Sequence, residues 1–139
     1  MNGLAFFDTN ILIYSDDNAD LRKQGRAIAL LAGHRRDNTL VVSLQVLQEY
    51  YAAATRKLKV DPLLAQQKVE LVANARVVRF NERDVIAAIE LHRLNQISFW
   101  DAMIVHAARL ANVSVLFSED LAHGSTLAGI PVRNPFFDL

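Results

Sequence analysis

Short apolar runs rich in β-branched and aromatic residues alternate along the chain with longer stretches of helical period. Leu4 to Phe7, Leu40 to Ser43, Val77 to Phe80, Val113 to Phe117 and Ile130 to Arg133 read as five strands. Between the second and third, "SLQVLQEYYAAATRKLK" places Leu47, Tyr50, Tyr51, Ala54 and Leu58 on one stripe. "DPLLAQQKVELVANA" opens with Asp61 before Pro62, an N-cap followed by a proline at the first helical position. "NERDVIAAIELHRLNQ" and "SFWDAMIVHAARLAN" continue the helical period. No linker, internal repeat or low-complexity segment interrupts the pattern, so residues 1–139 are expected to form one domain. Strands separated by helices predict an α/β fold, a central parallel sheet of about five strands with right-handed crossovers and helices on both faces. Such sheets carry their sites at the C-terminal ends of the strands, near the point where strand order reverses.

Composition narrows the setting. A chain of 139 residues can bury roughly 70% of the surface exposed on unfolding, enough for one core. No apolar run approaches the roughly 20 residues of a membrane-spanning helix. The start "MNGLAFFDTN" lacks the basic and apolar regions of a secretory signal, and the sequence has no cysteine for a disulfide or thiolate metal site. A soluble, cytoplasmic protein without membrane contact is expected. Fifteen basic residues balance fifteen acidic ones, so affinity for a polyanion would have to come from local patches or bound cations. Arg22-Lys23-Arg26, Arg35-Arg36 and Arg56-Lys57-Lys59 are small basic groups that read as solvated helix faces or ends before they read as binding patches.

Four acids carry the candidate chemistry. Asp8 interrupts the apolar "FFDTNILIY" just past the first strand, and Asp120 in "VLFSEDL" follows the fourth strand in the same way. Both carboxylates should therefore emerge at one edge of the sheet. Each also has a plain structural reading: Asp8 or Asn10 as cap of a helix beginning near Ile11, and Ser118, Glu119 and Asp120 as a turn or capping cluster. Asp101 lies in the first turn of a helix that runs back antiparallel to the strands, so that turn sits at the same edge. Ser98 three residues earlier fits a capping box, yet Asp101 shares a stripe with Val105 and Ala108 and should face inward. Glu49 points roughly opposite the stripe of its own helix, so periodicity gives it the reading of a solvated acid.

Carboxylates converging on one edge need a counter-charge, since two of them about 4 Å apart repel by about 4 kcal/mol at an effective dielectric near 20. An all-carboxylate, cysteine-free cluster favours a hard divalent cation, Mg²⁺ or Mn²⁺. Such ions would neutralise the acids, activate a water and stabilise the leaving oxygen of a phosphodiester, which makes phosphodiester hydrolysis the natural reading. It would also explain how a neutral chain handles a polyanion.

"FFDTNILIY", "VVSLQVLQEYYAAATRK", "ISFWDAMIVHAA" and "VLFSEDL", in this order, together resemble a PIN domain, specifically a VapC-type toxin ribonuclease of a bacterial toxin–antitoxin pair. The resemblance runs from Leu4 to about Val132. It implies a three-layer α/β/α fold, with Asp8, Glu49, Asp101 and Asp120 matching the acids that bind Mg²⁺ or Mn²⁺ in that family. Glu49 enters the set through this match and not through its helical phase. The resemblance further suggests that Asn10 holds a neighbouring carboxylate or substrate phosphate, that Thr9 supports it, and that the Ser118 hydroxyl bonds a water; turn and cap chemistry is the alternative for all three. Glu119 is an extra acid that could serve a second metal or point to water.

The expected function is thus a metal-dependent endoribonuclease, the toxin of a type II system, cutting RNA, restrained by a VapB-type antitoxin and forming a homodimer as the family does. The rivals are a PIN-fold module that binds RNA or protein without cutting, and a nuclease acting on DNA. His34, His92, His106 and His123 are scattered, with no pair at metal-ligand spacing. Trp100 could stack on a base but reads first as a core or rim residue. "NPFFDL" should pack Phe136 and Phe137 against the last strand.

Overall fold

A computed structural model describes residues 3–139. The elements run β1 (Ala5–Phe7), α1 (Thr9–Tyr14), α2 (Leu21–Arg36), β2 (Leu40–Ser43), α3 (Leu44–Arg56), α4 (Pro62–Val72), β3 (Arg76–Val78), α5 (Glu82–Asn95), α6 (Phe99–Ala111), β4 (Val115–Phe117), β5 (Thr126–Leu127) and β6 (Ile130–Arg133). They build an α/β fold on one sheet of order β3-β2-β1-β4-β6-β5, parallel except for β5.

Burial explains the apolar runs. Every residue of β1 and β2 is buried, as expected of parallel strands covered on both faces, while β6 near the edge alternates buried and exposed positions. Strand order grows from β1 through β2 to β3 in one direction and from β4 to β6 in the other. With right-handed crossovers this places the helices after β1 and β2 on one face and α5 and α6 on the other, giving three layers. Accordingly α1 packs on α2 and α3, whereas α6 packs on α5 and spans β2, β3 and β6. The reversal falls between β1 and β4, where Phe7 is in register with Phe117.

Local chemistry sets the helix ends. Asp61 caps α4 by accepting from the Leu63 N–H, with Pro62 in the first turn as expected. Asn81 and Asp84 form a reciprocal capping box at α5. Asn112, at φ 52°, closes α6. Its Val113 N–H still bonds the Ala108 carbonyl, which delays the fourth strand from the expected Val113 to Val115.

The sheet carries one strand beyond the five read from the sequence, and two side-chain expectations need correction. The sheet has six strands because Ala128 and Gly129, both at positive φ, close a two-residue turn that pairs Leu127 with Ile130 in a hairpin; Thr126–Leu127 is too short to show as a run. The buried stripe of α3 is Val46, Leu47, Tyr50 and Ala54, and Tyr51 is exposed. Phe136 is buried against the Tyr14 ring, but Phe137 is 67% exposed and stacks on His123. Among the described residues, no helix is long and apolar enough to cross a membrane.

Candidate metal centre

The strand-order reversal positions the first two acids. Backbone leaving β1 turns directly into α1 at Asp8, whose carboxylate accepts from the Thr9 N–H at 2.6 Å and so caps the helix. Capping and placement in the site are compatible, because Asp8 Oδ2 faces β4 and accepts from the Ser118 hydroxyl at 2.8 Å. Ser118 is fully buried and its oxygen in turn accepts from the Asp120 N–H at 3.2 Å. One hydroxyl therefore ties the ends of β1 and β4 together. No helix follows Asp120, so the helix-cap reading of Ser118 to Asp120 does not apply; these residues form an irregular turn.

Asp101 enters from the other layer. Ser98 caps α6 through the Asp101 N–H, while the Asp101 carboxylate lies in the pocket. Its stripe partners Val105 and Ala108 are fully buried, consistent with an inward face. One carboxylate oxygen each from Asp8, Asp101 and Asp120 lie within 4.8 Å of one another.

Glu49 stands beside this trio and lines the same pocket of about 490 Å³. Because Val46 rather than Tyr51 belongs to the buried face of α3, that face is turned toward Glu49, which sits half-buried on its flank. The Thr9 hydroxyl donates to Glu49 Oε1 at 2.6 Å. Asn10 donates to Asp120, and its own Oδ1 is buried with no partner.

The electrostatics are those of crowded, buried acids. Desolvation raises the Asp8 carboxyl to about 7; the Ser118 and Thr9 hydrogen bonds oppose this, and the Asp120 and Asp101 charges add to it. Asp120 is likewise raised, by desolvation first and then by Asp101 and Glu119. Among the described residues no lysine or arginine forms an ion pair with Asp8, Asp101 or Asp120. Three convergent carboxylates without a counter-charge, and an orphaned carbonyl oxygen beside them, are a donor set that fits a hard, oxygen-seeking divalent cation.

Glu119 also lines the pocket, and both of its carboxylate oxygens are held. The Lys23 ammonium donates to its Oε2 at 2.6 Å and the Tyr14 hydroxyl to its Oε1 at 2.8 Å, which straps the Asp120 turn to α1 and α2. Tyr14 and Lys23 lie 105 and 96 positions away from Glu119 in the chain, and no short-range pattern announces the contact. The four histidines stay outside the site. His106 is enclosed between Asp84 and Arg109, and His123 accepts from the Asn134 N–H.

Residues 5–124 match the profile of the PIN domain. No curated protein sequence matches the chain. Among solved structures, VapC20 of Mycobacterium tuberculosis, a sarcin–ricin-loop-cleaving toxin, superposes with a TM-score of 0.67 at 24% identity, over 84% of this chain and 91% of that one. A toxin–antitoxin complex from Klebsiella pneumoniae gives 0.63 at 22% identity, over 94% and 97%. DNA-bound VapBC from Salmonella typhimurium gives 0.65 at 18%, over 95% and 98%. At these identities the likeness is one of fold.

Proposed function

Because the chain belongs to the PIN domain family, we propose that it is a Mg²⁺- or Mn²⁺-dependent endoribonuclease of the VapC type, the toxin half of a toxin–antitoxin pair. The observation that carries this reading is the convergence of the Asp8, Asp101 and Asp120 carboxylates at the strand-order reversal, with Glu49 on the same pocket. These three aspartates would hold the metal. A divalent cation there supplies the positive charge that favours attack of water on a phosphodiester and stabilises the oxygen that leaves. The chain's own groups supply the rest. Thr9 fixes the Glu49 carboxylate, which is placed to orient the attacking water and accept its proton. Asn10 steadies Asp120 through its amide and offers its free Oδ1 to a water proton. Ser118 keeps Asp8 and the Asp120 turn in register.

The toxin–antitoxin complexes among the structural neighbours support a VapB-type partner for this chain, and the family resemblance supports a homodimer. Incubating the purified, antitoxin-free protein with total bacterial RNA tests the enzyme reading. Discrete fragments are expected with Mg²⁺ or Mn²⁺ and none with EDTA or with Asp101→Asn. Intact RNA together with no detectable Mn²⁺ binding would replace the enzyme with a non-cutting module, and cleavage of DNA in preference to RNA of the same sequence would overturn the toxin reading.

The Glu119 strap gives a second expectation. Lys23→Met should weaken Mn²⁺ binding about tenfold, the usual cost of freeing a group that orients a ligand. Lys23 and Glu119 are each about one-quarter exposed, so the accompanying loss of stability should stay near 1 kcal/mol. Calorimetric titration with Mn²⁺ beside a thermal melt separates the two effects, and unchanged affinity would make the strap purely structural.

A further inference from the structure

The pocket is electrically two-ended. On the pocket side of α3, Gln45, Glu49, Ala52, Ala53 and Arg56 recur at helical spacing, so one helix face runs from the acids to a cation. Arg56 lies two turns beyond Glu49, about 10 Å of helix rise. The two alanines between them leave the floor of the trough low. Lys57 stands next to Arg56 on the same rim. Both side chains are exposed, and among the described residues neither makes an ion pair or a side-chain hydrogen bond. Lys23, Arg26, Arg36 and Lys68 are each held by a carboxylate, and what sets Arg56 and Lys57 apart from the other unpaired cations is their place on the pocket. Free cations facing a cluster of acids across an open trough are not explained by helix-end electrostatics alone, which would be equally served on the far side of the helix.

The acidic end has its own unusual neighbour. Trp100 precedes Asp101 in the first turn of α6, lines the pocket, and is 60% exposed. Its indole is steadied edge-on by the Phe99 ring at 5.0 Å, which leaves a flat apolar face open beside the carboxylates. The more exposed Phe137 ring is stacked on His123, whereas the Trp100 face opens at a polar pocket mouth, where it suits a stacked base.

Resting on the ribonuclease reading above, we infer that Trp100, Arg56 and Lys57 form the rim that seats an unpaired RNA strand across the trough. Trp100 stacks on a base next to the scissile phosphate at the acidic end, and Arg56 and Lys57 take phosphates farther along the strand. The strand must be unpaired, because inside a duplex each base is stacked on both faces and has none to offer the indole. A polyanion suits both ends: Arg56 and Lys57 would neutralise its phosphates along the rim, and Asp8, Asp101 and Asp120 would hold the divalent cation that does so at the other end. An acidic peptide would be repelled by the carboxylates, and a basic peptide by the rim.

Trp100 is the chain's single tryptophan, so its emission reports occupancy of the trough directly. The protein is titrated in Mg²⁺ with a short unpaired 2′-O-methyl oligoribonucleotide, its integrity checked on a gel, and with the same strand annealed to its complement. Saturable quenching by the unpaired strand alone is expected. With a labelled strand followed by anisotropy, Trp100→Ala should weaken binding about tenfold, and Trp100→Phe should restore most of it. The double variant Arg56→Gln/Lys57→Gln should lower the slope of log K against log salt by about 1.4, two phosphate contacts on a single strand. In cleavage, the same variants should raise KM far more than they lower kcat. Wild-type cleavage with binding, salt slope and KM unchanged in all variants would overturn the rim and leave the ribonuclease standing. A wild type that neither binds nor cuts unpaired RNA would overturn both.

Discussion

Asp8→Asn should raise the melting temperature of the metal-free protein at neutral pH while reducing RNA cleavage at least about 100-fold, the loss expected when metal-borne charge stabilisation worth several kcal/mol is removed. The two effects share a cause. Burial lifts the Asp8 carboxyl from an ordinary value of 3.8 to about 7, so the folded chain binds a proton that the unfolded chain has released. The sign follows: the contribution of Asp8 to stability is complete below about pH 4 and is lost as pH rises through about 7, amounting to as much as about 4 kcal/mol in alkaline solution. An asparagine keeps an oxygen for the Thr9 N–H and turns an amide toward the Ser118 oxygen, without a charge to desolvate. Thermal melts in EDTA across pH 5 to 8 check this. The wild type should lose stability with rising pH and regain it with Mn²⁺, whereas Asp8→Asn should be flatter and insensitive to the ion. A wild-type melt that is flat with pH in EDTA would rule out the buried-charge account.

Asp16→Ala should produce the largest loss of stability without touching the pocket. Asp16 follows α1 and joins three elements: the Tyr50 hydroxyl of α3 donates to one of its oxygens, and the Lys68 ammonium of α4 donates to the other at 2.9 Å. Lys68 also donates to the Ser15 hydroxyl and stands 5.5 Å from the centre of the Tyr50 ring. Burial, reinforced by Asp16, pushes the Tyr50 phenol well above its usual range, so it remains a proton donor at any ordinary pH. Removing Asp16 strands a mostly buried ammonium and a buried hydroxyl together, for a cost of about 3 kcal/mol or a fall in Tm of about 10 °C. Asp16→Asn, which can still accept from Tyr50, should lose less. Urea unfolding gives the free energies, and a loss for Asp16→Ala below about 1 kcal/mol would show that Lys68 escapes to water instead.

How far the sequence reached depended on the range of the physics involved. Strand and helix identity were legible because burial on two faces writes an unbroken apolar run, as in Ala5–Phe7 and Leu40–Ser43, and because caps such as Asp61–Pro62 act within one turn. The same alternation of elements implied a parallel sheet and therefore an edge at which Asp8 and Asp120 meet. Tyr51 is not legible as exposed, since two adjacent stripes of α3 are both apolar and only the burial of Val46 selects between them. That selection also decides where Glu49 sits. The hairpin at Thr126 is not legible because a two-residue strand has no period to read.

Which residues could become strands, helices and charged ends was settled by interactions within a few positions along the chain. Tertiary structure alone decided which charges are neighbours. Ser118 reaches Asp8 across 110 positions, Lys23 reaches Glu119 across 96, and among the described residues Arg56 and Lys57 form no ion pair although five acids line the same pocket. Charge strength falls with distance in space and carries no mark of separation along the chain, so the reversal of strand order, and not any local motif, turned scattered carboxylates into one site.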